Sequence, residues 1–174
     1  VVSATLIFTS CSHIVPKAAN KMPLIRVLHD GQVETVALET YVASVLAGEV
    51  HSSWPLESLK AQAIAARTFA LLRMEERKNQ AFHIQNSVMD QVYKKKSNEI
   101  FIKAAQESAG LVLTLNGKLA EASFHSTCGG KTTDSKSVWG RHYQHLRGGV
   151  CGYCKQAPAF SWRAELLLSD IEAK

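Results

Sequence analysis

Apolar and polar positions change period several times along this chain, and each change marks an element. Leu24–His29 and Gln32–Leu38 are short β-type runs on either side of Asp30-Gly31, a pair that predicts a hairpin turn. From Glu39 to Val50 the spacing becomes helical, with Val42, Val45, Leu46 and Val50 on one face. A break at 51–54 precedes Pro55, which suits the first turn of a longer helix running to about Lys78. That helix is alanine-rich and becomes basic toward its end, as the helix dipole favours. Residues 79–96 read as polar and irregular, with a Lys94-Lys95-Lys96 tip. A third helix is expected from Ser97, its candidate N-cap, to Ala109, closed by Gly110. Leu111–Leu115 and Lys118–Phe124 then form a second hairpin around Asn116-Gly117. A glycine-, histidine- and cysteine-rich stretch fills His125 to Cys154.

Helices and hairpins alternate without a βαβ rhythm, so the class expected is α+β: helices packed on antiparallel hairpins, with a Cys/His-rich loop region. The 174 residues, 46% of them hydrophobic, suffice for one domain with a real core. The division expected is a tail over 1–23, which includes a polar linker from residue 17, and a domain over 24–174. The opening VVSATLIFTSCS reads either as the end of a secretory apolar region before a lipoprotein-type Cys11, or as an edge strand. Leu168–Glu172 reads as a helix start that stops after one turn, which suggests a domain continuing further. No window reaches the roughly 18 apolar residues of a membrane span. Twenty Lys and Arg against fifteen Asp and Glu give a net charge of +5, compatible with an acidic polymer. Without a dense basic run this does not point to nucleic acid.

Three features carry candidate chemistry. Glu49 falls seven residues after Val42 and four after Val45, on the apolar face of its helix. Desolvation favours a protonated carboxyl, which is what a general acid needs. The alternative is a glutamate paired with Lys60 or Arg67 of the next helix. Those two residues, seven apart on one face, address either an anion or solvent. Third, His125-Ser-Thr-Cys128 and Cys151-Gly-Tyr-Cys154 form two short-spaced pairs 22 residues apart, the pattern of a tetrahedral zinc site. Such a site would be structural, clamping loop 129–150, with His142 or His145 as substitutes for His125. A Cys151–Cys154 disulfide and free thiols are the other readings. A cysteine protease built from Cys128 and His125 would place nucleophile and base on one loop in poor geometry. No G-x-S-x-G, Walker, Rossmann or H-E-x-x-H motif occurs.

Four stretches in order resemble the SpoIID/LytB family of sporulation- and septum-associated proteins. They are Tyr41-Val-Ala-Ser-Val-Leu-Ala-Gly-Glu49, Leu59-Lys-Ala-Gln-Ala-Ile-Ala-Ala-Arg67-Thr68, Asp90-Gln-Val-Tyr93 and Phe124-His-Ser-Thr-Cys-Gly-Gly-Lys-Thr132, extended by Trp139, Cys151, Cys154 and Trp162. The resemblance implies a lytic transglycosylase acting on peptidoglycan strands stripped of their peptides, with Glu49 as acid/base. Lys60, Gln62, Arg67, Gln91, Tyr93 and Ser126 would line the cleft. It also implies a place outside the cytoplasmic membrane, with no cofactor needed for cleavage. Some members carry serine where Cys128 stands, so the zinc cluster belongs to a subset. Two other functions fit the same residues: a non-catalytic glycan-binding module that assists a peptidoglycan amidase, and a zinc-stabilised scaffold for partner proteins.

Overall fold

Asp30 and Gly31 both take positive φ, 49° and 75°, the twist a two-residue hairpin requires. They join β1 (Leu24–His29) to β2 (Gln32–Ala37) in antiparallel register, from Leu24 opposite Ala37 to His29 opposite Gln32. Alternation along β1 turns Ile25 and Val27 inward, where both are fully buried. The computed structural model describes residues 23–125, 127–157 and 160–165. Cys11, the linker over 17–22, Ser126 and the helix start over 168–172 lie outside the described residues. The chain divides into two units, Val1–Ser123 and Phe124–Lys174.

In the first unit α1 (Leu38–Glu49) follows β2 directly and buries Tyr41, Val42, Val45 and Leu46 completely. Pro55 sits immediately before α2 (Leu56–Glu76), whose fixed backbone angle suits a helix start. Alanines 63, 66 and 70 line the inner face of α2 and let its neighbours approach closely. Phe101, Ala104 and Ala105 of α3 (Glu99–Glu107) complete the core with Leu59 and Phe69. Burying each large apolar side chain contributes about 1.5–3 kcal/mol.

Three details depart from the pattern reading. A strand β3 (Ile84–Gln85) lies inside the stretch expected to be irregular and pairs parallel to β1, Ile84 beside Val27. The sheet order is therefore β2-β1-β3. Two residues are too few to show a period, so this strand left no signal. Ser97 does not cap α3: its Oγ donates to the Ala43 carbonyl at 2.9 Å, tying the chain to α1, and Asn98 occupies the cap position. The second hairpin is shorter than expected, β4 (Thr114–Leu115) with β5 (Lys118–Leu119). Upstream of β4 the backbone is already engaged by α2, since Leu113 N–H donates to Thr68 Oγ1 and the Leu111 carbonyl accepts from Arg67.

The second unit holds β6 (Lys131–Thr132) antiparallel to β7 (Gly149–Val150), and α4 (Ser135–Trp139). Asp134 caps α4 by accepting from Lys136 N–H at 2.8 Å. Ser135 is the only buried residue of this unit among the described residues. The molecule is α+β, as its pattern predicts. No helix among the described residues is long and apolar enough to cross a membrane.

Candidate active site

Glu49 ends α1, one turn beyond the fully buried Val45 and Leu46, and is half-buried. Its Oε1 accepts from the Val92 N–H at 2.8 Å. Gly48 explains how the two segments come so close. A methyl group at position 48 would overlap the Val92 carbonyl, so only glycine lets the helix end lie against this strand of backbone. Among the described residues no cation pairs with Glu49, and the expected alternative partners are engaged elsewhere.

Arg67 is 1% exposed and grips Glu39 with two bonds, Nε to Oε1 at 2.9 Å and a terminal nitrogen to Oε2 at 2.6 Å. Its remaining donors reach the carbonyls of Ala105 and Leu111, so one guanidinium joins α1, α2 and the end of α3. Lys60 bridges Glu57 at 2.6 Å and Glu107 at 3.3 Å. The Glu57 bond, more than the Glu107 one, raises the Lys60 ammonium above its ordinary range.

The segment carrying Val92 is held on both sides. Gln91, 1% exposed, accepts from the Tyr41 hydroxyl at 2.8 Å and donates to the Ala66 carbonyl at 3.4 Å. Tyr93 stacks on Tyr41 with ring centroids 5.6 Å apart, while its N–H donates to Asn86 Oδ1 at 2.7 Å. Burial above all, then the charges of Asp90 and Glu49, pushes the Tyr41 hydroxyl well above the usual tyrosine range, so it remains a donor. Asp90 receives both terminal nitrogens of Arg77, at 2.6 and 2.9 Å, and also the Gln85 N–H at 2.8 Å.

These contacts place three of the expected cleft residues in the interior of the first unit. Arg67 and Gln91 are buried with their polar groups bonded within that unit, and Tyr93 is buried with its ring against Tyr41. Gln91 and Tyr93 instead fix the Val92 amide that holds Glu49. Lys60 keeps a half-buried ammonium shared by two carboxylates. Gln62 differs: its Nε2 is buried without a hydrogen-bond partner among the described residues. The Arg77–Asp90 pair, Glu39 and Val92 were not singled out from sequence. Only Gly48 had left a sign, a glycine inside a helical pattern beside the key carboxylate.

In the second unit the sulfurs of Cys128, Cys151 and Cys154 lie within 4.8 Å of one another, with Cys128 and Cys154 3.6 Å apart. All three are thiols, so the Cys151–Cys154 disulfide is not formed. Around a tetrahedral zinc with bonds of about 2.3 Å, neighbouring sulfurs stand about 3.8 Å apart, close to what is seen. Backbone N–H groups also point at the sulfurs. The Tyr153 amide and then the Cys128 thiol lower the Cys151 thiol below its ordinary range. On Cys128 the Gly130 amide acts downward, but the Cys151 thiol and burial outweigh it and leave that thiol raised. The donor set therefore fits a soft, thiolate-preferring cation.

His125 does not join this cluster. Its side chain is exposed. His142 and His145 do not replace it: His142 lies 3.8 Å from Asp134, and the His145 ring lies 6.1 Å from that of Tyr143.

Comparison with known proteins gives this arrangement a family. The SpoIID pattern, described as stage II sporulation protein, matches residues 29–115, half of the 174 and wholly inside the first unit. The chain belongs to the SpoIID family. An uncharacterized protein of Brachyspira hyodysenteriae is 35% identical over 142 residues, covering 80% of this chain and 38% of that protein. Stage II sporulation protein D of Bacillus subtilis is 31% identical over 161 residues, covering 82% and 46%. The amidase enhancer of Bacillus subtilis is 30% identical over 131 residues, covering 75% and 17%. The chain spans less than half the length of each of these curated relatives.

Proposed function

We propose that this SpoIID chain serves cell-wall remodelling as a lytic transglycosylase, cutting peptide-free peptidoglycan strands with Glu49 as the acid/base. The observation that carries this reading is the state of Glu49. Its carboxylate is fixed by one backbone amide, while the two nearest sequence candidates for a neutralising cation, Arg67 and Lys60, are bound to other carboxylates. A carboxyl held by one amide, with no cation pairing with it among the described residues, is positioned for a substrate's glycosidic oxygen.

One such group suffices for this reaction. A glycoside hydrolase usually needs two carboxylates, one of them to activate water or form a covalent intermediate. In lytic cleavage Glu49 gives its proton to the leaving glycosidic oxygen as the bond to the anomeric carbon breaks. The 6-hydroxyl of the same muramic acid then attacks that carbon, and Glu49 takes the hydroxyl proton. The product is a 1,6-anhydro ring, and Glu49 is reset. The tethered nucleophile has a high effective molarity, so a second carboxylate is not required. Gln62, whose buried Nε2 has no partner among the described residues, would donate to a substrate oxygen; Lys60 and Ser126 keep the supporting roles the family resemblance gives them.

Peptidoglycan lies outside the cytoplasmic membrane, so the working compartment is the cell envelope, with Cys11 as a candidate lipid attachment point. There, Cys128, Cys151 and Cys154 would supply three thiolates to a structural zinc that ties down the 129–150 loop. The test is Glu49→Gln: loss of cleavage with unchanged circular dichroism and retained strand binding supports the assignment, and continued cleavage overturns it. A second reading, an amidase-enhancing glycan binder, is favoured by the relative of that name. It predicts strand binding and amidase stimulation without any new chain ends in the wild type.

A further inference from the structure

We infer that the turn over residues 86–90 positions Glu49, with Asn86 and Asp90 as positioning residues that act through the Val92 amide. The acid/base role of Glu49 rests on the function proposed above; the hold of this turn on its carboxyl does not.

Alternate amides of the segment after the turn donate to α1. Val92 N–H goes to Glu49 Oε1 at 2.8 Å, and Lys94 N–H goes to the Ser44 carbonyl at 3.2 Å. The amide between them, that of Tyr93, donates instead to Asn86 Oδ1 at 2.7 Å. Asn86 thus fixes the peptide next to the one that holds Glu49. Asn86 is itself tied down, since its N–H donates to the Leu28 carbonyl of β1 at 2.9 Å.

Asp90 closes the turn from its other end. Its carboxylate, 6% exposed, accepts both terminal nitrogens of Arg77 and the Gln85 N–H. The Asp90 N–H donates to the Ser87 carbonyl at 3.2 Å. Arg77 also donates to the His83 carbonyl at 2.9 Å, so the residue that ends α2 grips the chain before and after the turn.

The tip of the turn adds nothing to the core, because Val88 is 89% and Met89 85% exposed. A loop with so few apolar contacts opens easily unless polar bonds close it. Here those bonds gather on Asn86 and Asp90, the residues that lead the backbone into Val92. A carboxyl held by one amide moves with that amide, and a displacement of about 1 Å can cost about a hundredfold in rate.

The test uses the full chain and two readouts: hydrogen exchange of the Val92 amide by NMR, and release of anhydro ends from peptide-free strands. Asn86→Ala and Asp90→Asn should each speed Val92 exchange at least about tenfold more than exchange at Val45 and Leu46 in the core of α1. Each should lower kcat by at least about tenfold with KM roughly unchanged. Asn86→Asp keeps an acceptor oxygen and should return kcat to within about threefold of wild type. If Asp90→Asn fails to fold, Asn86→Ala and Asn86→Asp decide the matter alone.

Two controls separate positioning from other roles. Glu121→Gln weakens another buried ion pair of the same unit, the one with Arg73, and should leave kcat and Val92 exchange as in wild type. Val88→Ser with Met89→Ser alters only the exposed tip and should do the same. Unchanged Val92 exchange or unchanged kcat in Asn86→Ala overturns the inference. An equal fall in kcat in Glu121→Gln overturns it too, as general loosening, and an equal fall in the tip variant does so by making the turn a substrate contact. Failure of the Glu49 reading shows separately, as wild-type protein that makes no new ends while Val92 exchange still responds to Asn86→Ala.

Discussion

The two units answer the same physical problem in opposite ways. In the first, three helices and a three-stranded sheet enclose a packed core, and the buried Arg67 meets Glu39 and two carbonyls. In the second, Ser135 alone is buried among the described residues, two-residue strands and a five-residue helix supply little packing, and three thiols converge. A small unit cannot bury enough apolar surface to order itself and needs a staple. Packing thus holds the unit with the candidate carboxylate, whereas the other unit would depend on the zinc proposed at Cys128, Cys151 and Cys154.

Breaking the buried ion pair should have the largest effect. Glu39→Ala leaves Arg67 charged and unanswered inside the first unit, a change costing about 3–5 kcal/mol. Thermal or urea denaturation should show most of the first unit's stability gone. A melting curve unchanged within a degree would mean that Arg67 escapes to solvent and that the pairing is incidental.

Metal removal probes the other side of the comparison. Chelation of purified protein should expose the Lys131–Lys155 stretch to trypsin while leaving the cooperative unfolding of the first unit in place. Metal analysis should return about one zinc per chain, lost in Cys151→Ser. Equal damage to both units would erase the distinction between them.

Gly48→Ala sharpens the contrast within the first unit. Overpacking against the Val92 carbonyl should cost about 1–3 kcal/mol. Because the same contact carries the amide that fixes Glu49, cleavage should fall further than stability does. Turnover equal to wild type in the folded variant would show that the Val92 bond does not position Glu49.

The smallest effect concerns pH. His83 Nδ1 accepts the Arg26 N–H at 3.1 Å, so the imidazole must be neutral on that nitrogen. Burial first, and then the Arg26 charge, lowers its folded-state value below the usual one. A histidine lowered on folding adds stability above its unfolded value, about 6.5, and that contribution is lost as pH falls through the folded value. Stability should therefore decline modestly below about pH 6.5. His83→Asn, which keeps an acceptor in place, should flatten that decline; an identical slope in the variant would move its cause elsewhere.

Much of this architecture was legible in the chain. The Asp30-Gly31 and Asn116-Gly117 turns and the three long periodic stretches specify their elements locally. Cys-x-x-Cys with Cys128 was legible too, because short spacing limits where sulfurs can go. What stayed hidden depends on the partner. The pattern put Arg67 on a helix face but could not show that Glu39, 28 residues earlier, would turn it inward. Asp90 and Arg77 meet across a turn that has no period. β3 borrows its hydrogen bonds from β1 and has too few residues to announce itself. Ser126 lies outside the described residues, so its expected place at the cleft has no geometry to set beside it.

The central claim is that Glu49 drives intramolecular cleavage of a peptide-free strand. The most direct test is mass spectrometry of strands incubated in oxygen-18 water with wild-type protein and with Glu49→Gln. The account predicts 1,6-anhydromuramic ends without oxygen-18 from the wild type and none from the variant. Reducing ends carrying oxygen-18 would contradict it, because water would then be the nucleophile and a second carboxylate would have to activate it.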